Sequence, residues 1–285
     1  MGVSQTTITD ELFSQKKAHQ YKLSILIGVD SFLYMVFDKD KYVLLLKDHA
    51  FDHPPSATRL PGTNILQYVE QDRLLKLPYS AVKIAYLSST QTFVPNRLYH
   101  PDQKHIYLDH IAEVKNDCVV RSDDLSLLRA QNVYTVDKAV LNLMQQLFVR
   151  AKHFHLSSAL YLGYRQCCDL SPNNLFLNVR DHHAQFFLFE HQKLIFSNQF
   201  SISSSDDLVY FTLLVYQQHH LSTTQQSIKV SGDFEEGGDH HRALSRYIKL
   251  IYPVASNIAY QSRESNQAQL NQHRFFDLQS IEMCA

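Results

Sequence analysis

With 285 residues, 45% of them hydrophobic and 19% charged, the chain has the composition of a globular protein large enough for a substantial core, which excludes a disordered or fibrous one. Its 27 Lys and Arg offset 28 Asp and Glu, so no general field draws it to nucleic acid or to an anionic membrane surface. The four cysteines, Cys118, Cys167, Cys168 and Cys284, have neither the CxxC nor the Cys/His spacing of a redox pair or zinc site, and read as reduced thiols of a cytoplasmic protein.

Residues Met1 to Lys17 are polar where a signal peptide needs an apolar stretch, and no apolar cluster approaches the roughly 18 residues of a membrane span, so neither export nor membrane insertion is expected. Residues 23–28, 32–37 and 42–46 then form three short apolar runs, the last two joined by Asp38-Lys39-Asp40. Links this short exclude parallel neighbours, which need a long crossover, so an antiparallel meander is predicted. The spacing of Ile65, Tyr68, Val69 and Leu75 predicts a helix over 64–75, and Pro78 separates it from a strand over 81–87. A turn through Thr92, Phe93, Val94 and Pro95 is expected, then a short helix over 102–113 and extended pieces over 117–136. Asp137 is placed to cap a helix whose apolar stripe runs through Val140, Leu141, Met144, Leu147 and Phe148. Residues 152–156 read as extended, and Ser157 begins a second helix that ends before Pro172.

The opening pattern returns about 151 positions later, at 175–180, 184–189 and 193–197, with Glu190-His191-Gln192 as its polar turn. That recurrence predicts a structural duplication, with a first lobe over 1–168, including crossover helices, and a second over 169–285. Ser203 to Asp207 supply caps and acidic groups for a helix over 208–219, and 227–231 predict a strand ending at Gly232. Another helix is expected to carry Leu244, Tyr247, Ile248 and Ile251 up to Pro253. After a polar run at 262–271, Phe275, Phe276, Leu278 and Ile281 are expected to return as a final strand. Meanders alternating with helices and lone strands describe an α/β chain of two mixed-sheet lobes, a duplicated ribonuclease H-like (actin-like) fold, rather than one doubly wound dinucleotide fold.

Residues 23–46, the segment Leu175 to Phe200 running into Ser204-Ser205-Asp206-Asp207-Leu208-Val209-Tyr210-Phe211, and Val230-Ser231-Gly232 resemble an uncharacterised Bacteroidetes family, domain of unknown function 3822 (DUF3822). The resemblance implies a fold similar to the actin-like ATPases, in particular the two-lobed scaffolds of pilus assembly and secretion, and no established activity. That fold also carries ATPases, sugar kinases and chaperones, so it does not select the chemistry.

An actin-like ATPase needs a tight, glycine-permitted turn in its first hairpin so that backbone approaches phosphate and Mg²⁺. The corresponding stretch is Gly28-Val29-Asp30-Ser31-Phe32, in which Asp30 and Ser31 are cofactor-binding candidates while bulky Phe32 and Leu33 stand against the role. The matching point in the second lobe, Asn178 to His183, has no glycine, and Asp181 there is either a ligand or an ordinary hairpin turn residue. Gly232 is the candidate for backbone approach to adenosine, beside the acidic Asp233, Glu235 and Glu236, which disfavour a triphosphate. Gly237-Gly238 is an alternative, and neither arrangement is specific.

Sixteen histidines include the pairs His153/His155, His182/His183, His219/His220 and His240/His241, but adjacent positions diverge on a strand or helix, and only His153 and His155 share a face. No third ligand is identified for them. HExxH, P-loop, GxGxxG and GxSxG patterns are absent, so no catalytic or metal residue is assigned and no cofactor is implied, which leaves enzyme status open. A non-catalytic binding or assembly scaffold is the leading reading; the alternative is a divergent Mg-dependent ATPase or phosphotransferase with an inter-lobe nucleotide site. That site is expected to be occluded or poorly formed. The expected partners are an unidentified protein and, less strongly, a second copy of the chain as a homodimer; no nucleic acid is expected.

Overall fold

The computed structural model describes residues 5–51, 61–170, 173–255 and 273–285, so Pro172 and the polar run 262–271 lie outside the described residues. Two compact units divide the chain, the first running to Ala159 and taking in Cys284 and Ala285, the second beginning at Leu160.

In the first unit the three apolar runs form β2 (Lys22–Ile27), β3 (Ser31–Phe37) and β4 (Val43–Ala50), paired antiparallel in sequence, and β1 (Gln5–Thr9) adds to the outer edge of β4. The turn between β3 and β4 is closed by the Asp38 carboxylate, which accepts from the amides of Asp40 at 2.9 Å and Tyr42 at 3.0 Å. β5 (Ala81–Tyr86) lies parallel beside β2. Residues 87–151 then leave the sheet as an insertion and return in β9 (Lys152–His155), parallel to β5.

The insertion carries β6 (Gln91–Pro95), β7 (Cys118–Leu125) and β8 (Ala130–Asp137) as a separate antiparallel sheet, ordered β6-β8-β7. The expected turn at Thr92–Pro95 is therefore a strand. Its Pro95 is the last residue of an edge strand paired with Ala130, where a missing amide breaks no ladder. Val94, Leu108 and Val133 make a small core of their own, Leu108 coming from α2 (Lys104–Asp109). The main core sets Leu23, Ile25, Phe32 and Tyr34 of the sheet against Ile65 and Val69 of α1 (Pro61–Gln71) and Val140 and Met144 of α3 (Lys138–Leu147). Asp137 caps α3 as expected, accepting from the Val140 amide at 2.9 Å. α4 (Leu156–Cys167) carries the chain onward.

The second unit repeats the scheme with β10 (Asn173–Arg180), β11 (His183–Glu190) and β12 (Lys193–Ser201) as the meander, followed by α5 (Ser205–Gln218) and by β13 (Ile228–Gly232), parallel to β10. Asp181 with His182, and His191 with Gln192, all hold positive φ, the geometry of two-residue hairpin turns that follow the strand twist. Ser204 and Asp207 form a reciprocal capping box on α5. The next helix, α6 (Asp239–Leu244), is shorter than expected: Ile251 and Pro253 belong to β14 (Ile251–Pro253), which pairs parallel with β13 at the sheet edge. Phe275 to Ile281 is likewise not a strand but contains α7 (Phe276–Ser280), whose residues are all buried. Close packing requires Gly163 there, since a Cβ on it would stand 2.2 Å from the Ser280 hydroxyl oxygen.

The strand orders β4-β3-β2-β5-β9 and β12-β11-β10-β13-β14 are the same order twice, third-second-first-fourth-fifth, with the same parallel and antiparallel pairings. The duplicated ribonuclease H-like fold is thus present. Among the described residues no helix is long and apolar enough to cross a membrane.

Candidate functional site

Val29 and Asp30 turn the chain between β2 and β3, the Gly28 amide donating to the Ser31 carbonyl at 2.9 Å and the Asp30 carbonyl accepting from the Phe51 amide at 2.7 Å. Gly28 is not among the residues at positive φ, so this turn makes no use of glycine's extra freedom. Ser31 is buried, and Phe32 packs into the core with ring centroids 5.4 Å from Tyr68 and 6.3 Å from Tyr34. The bulk read from the sequence as filling the loop lies beneath it instead.

Gly232 does hold positive φ, at 79°, and a Cβ on it would stand 2.1 Å from the Val179 carbonyl oxygen. Its amide donates to the His273 carbonyl at 3.0 Å, and the following Asp233 amide to the Val179 carbonyl at 2.7 Å. Packing within the second unit therefore accounts for the glycine. Beside it Arg180, 1% exposed at the end of β10, donates to Asp277 Oδ2, Asp233 Oδ1 and the Arg274 carbonyl, each at 2.8 Å. The acidic run following Gly232 is thus partly neutralised, Asp233 by Arg180 and Glu235 by Arg274 at 3.2 Å.

A cavity of about 300 Å³ opens in the first unit where the insertion meets the main sheet. Ile27, Val29, Ile65, Leu87, Val136 and Val140 supply its apolar lining, and Glu113, Asp117 and Asp137 its carboxylates, against the single Lys115. Cys118 faces it as well, its Sγ 3.6 Å from Asp117 Oδ1. Burial first, then Asp117 and Asp137, push that thiol up to about 11, so it is protonated at neutral pH and not an activated nucleophile. The Ser88 hydroxyl, also in the lining, lies 2.8 Å from Thr135 Oγ1.

Asp123 of β7, 7% exposed, ties the inserted sheet to the start of α4. Its Oδ1 accepts from the Tyr134 hydroxyl at 2.9 Å, and its Oδ2 from the His155 amide at 2.7 Å and the Ser158 hydroxyl at 2.6 Å. Burial pushes the carboxyl up to about 6, although all three donors pull it back down. His153 lies nearby on β9, its Nδ1 2.8 Å from the Tyr86 hydroxyl, and burial, then the Arg121 charge, hold it down to about 4. His155 is fully buried and receives the Ser157 amide on Nδ1 at 3.1 Å. Among the described residues no group of three or more His, Cys, Asp or Glu is placed to hold a metal ion. Neither the Asp123 network nor the Arg180 clamp carries a local sequence signal, because their partners lie 11 to 35 and 53 to 97 residues away.

The chain belongs to the family described as protein of unknown function (DUF3822), whose model matches residues 10–251. No curated protein matches it. Among solved structures it is similar to a Bacteroides thetaiotaomicron protein with actin-like ATPase fold and unknown function, at 17% identity and TM-score 0.79 over 96% of this chain and 100% of that one. It is also similar to a chain of the PilM-PilN type IV pilus biogenesis complex (12% identity, TM-score 0.60, 91% and 97% covered). A third likeness is to the ethanolamine utilization protein EutJ from Carboxydothermus hydrogenoformans (8% identity, TM-score 0.52, 93% and 90% covered). At these identities the likeness is one of fold, and the fold is that of the actin-like ATPases.

Proposed function

We propose that this chain is a non-catalytic binding or assembly scaffold on a degenerate actin-like fold, recognising a protein partner and working in the cytoplasm. The observation that carries the reading is the closure of Gly232 by its own unit: this glycine, the leading sequence candidate for backbone approach to a nucleotide, spends its amide on the His273 carbonyl and its Cα space on Val179. The Arg180 guanidinium, the nearby cation that an anionic phosphate would seek, is already held by Asp277 and Asp233. A similar fold in the PilM-PilN complex belongs to a protein solved with a protein partner, which supports the same kind of role here. Cys118, Cys168 and Cys284 lie outside any disulfide among the described residues, which fits a reducing compartment.

Calorimetric titration of the full chain with ATP and Mg²⁺ tests the reading, and no saturable heat is expected. Purification under native expression should instead recover a defined protein complex. Saturable Mg·ATP binding that is lost in Asp30→Asn would favour the alternative, a divergent ATPase or phosphotransferase with Asp30 and Ser31 at the metal and Gly232 at the nucleotide.

A further inference from the structure

The duplication supplies an internal control. Where the second lobe passes from β13 to β14 through residues 233–250 with α6 alone, the first passes from β5 to β9 through residues 87–151 and adds a whole three-stranded sheet. The second lobe closes its core without such a sheet; in the first, Tyr134 and Val136 of β8 join the main core, and the rest of the inserted sheet is surplus to the shared fold. The cavity lies along the seam between the insertion and the common part of the lobe: Ile27, Val29 and Ile65 come from the common part, Val114, Cys118 and Val136 from the insertion.

The two kinds of wall define what would fit. The apolar floor gains nothing from a purely ionic ligand and requires an apolar group to displace its water. Among the lining residues the carboxylates of Glu113, Asp117 and Asp137 outnumber the ammonium of Lys115, which gives the recess a formal excess of negative charge. A recess with low-dielectric walls focuses the field of such charge. Glu113, in the segment between α2 and β7, is exposed and lines the cavity, whereas Asp137 is already engaged as the α3 cap. At about 300 Å³ the cavity stands at the small end of ligand pockets, the scale of an anchoring side chain with its neighbour.

We infer that this cavity is the scaffold's docking site for an extended peptide segment of its partner, an apolar side chain entering over Ile27, Ile65 and Val140 and an adjacent lysine or arginine meeting Glu113 and Asp117. The inference rests on the scaffold reading and gives that partner a chemistry. The apolar anchor supplies the affinity, and the acidic rim supplies orientation and discriminates against acidic segments.

Selection of short random peptides displayed on phage against the immobilised full chain tests it, followed by fluorescence anisotropy of the enriched sequences. Enriched peptides are expected to share an apolar residue next to Lys or Arg. Ser89 and Glu113 both line the cavity and are exposed, so Ser89→Trp and Glu113→Lys are compatible with folding, which circular dichroism checks. Ser89→Trp, which fills the mouth, should weaken binding at least about tenfold, and Glu113→Lys about threefold to tenfold. Exchanging the peptide's basic residue for Glu should restore binding to Glu113→Lys and abolish it for the native chain. The inference is overturned if no peptide is enriched, if the enriched peptides lack a basic residue, or if both variants bind them unchanged. It is equally overturned if light scattering finds a dimer that Ser89→Trp dissociates, since a second copy then occupies the cavity. Failure of the selection with silent Mg·ATP calorimetry removes the docking site alone, whereas Mg·ATP binding removes the scaffold reading whatever the peptides do.

Discussion

Replacing Asp123 by asparagine keeps the shape of the carboxylate and removes its titration. In the native protein the folded-state value near 6 exceeds the ordinary carboxylate value of about 4, so the folded state holds this proton more tightly than the unfolded chain. The contribution is fully present below about pH 4 and is lost as pH rises through about 6; two pH units at 1.36 kcal/mol each make it about 3 kcal/mol. His153 acts in the opposite sense. Held down to about 4, it favours the folded state above about pH 6.5 and loses that contribution as pH falls, by about 1–2 kcal/mol once its partial exposure is discounted. The two slopes oppose each other in one interval, so the native profile is shallow there. Asp123→Asn should therefore gain stability with rising pH between about 4 and 6.5, where the native protein does not, and the native-minus-variant difference should fall by about 3 kcal/mol. Urea titrations at several pH values provide the measurement, read by circular dichroism and tyrosine fluorescence because the chain has no tryptophan. Hydrogen exchange at β7 and β8 amides assigns the change to the first unit. Parallel pH profiles for the two proteins would refute the reasoning.

Asp123→Ala, by contrast, leaves the Tyr134 hydroxyl, the His155 amide and the Ser158 hydroxyl facing no acceptor, and should cost about 3–6 kcal/mol by urea titration at neutral pH. Asp277→Ala strips the fully buried partner from Arg180 and leaves the half-exposed Asp233; a loss of about 3–5 kcal/mol is expected, with faster proteolysis around α7 in a limited-digestion time course. Gly232→Ala combines a disfavoured φ with a contact no Cβ can make, so its stability should fall by at least about 2 kcal/mol, and a thermal midpoint no lower than the native one would contradict the packing account. Ser204→Ala removes half of the α5 capping box and should cost about 1 kcal/mol by the same titration.

The readable parts of this fold are those whose information is local. Both meanders announce themselves because apolar runs are broken by Asp38-Lys39-Asp40 and Glu190-His191-Gln192, and α3 and α5 because Asp137 and the Ser204/Asp207 pair cap them. The misreadings fall where a distant partner decides. Thr92 to Pro95 becomes a strand only because β8 lies beside it, and Ile251 leaves the helical pattern to pair with Ile228. Phe275 to Ile281 shows no strand alternation or amphipathic stripe because Phe276 to Ser280 are buried on every side. The candidate sites followed the same rule: Asp30 and Gly232 were visible as turn residues, whereas the cavity gathers residues from Ile27 to Val140 that no spacing connects.

The Arg180 clamp has a further consequence in time. Arg180 and Asp277 are 97 residues apart, and closing a loop of that length costs about 4 kcal/mol of chain entropy before the contact returns anything. The β10–β11 hairpin forms early, from neighbouring residues, so its arginine must wait, solvated, for a segment that arrives late. A lobe collapsed without α7 would bury that guanidinium without the fully buried Asp277 carboxylate, which disfavours the incomplete state. One buried charge thus couples the docking of the last segment to the stability of the lobe.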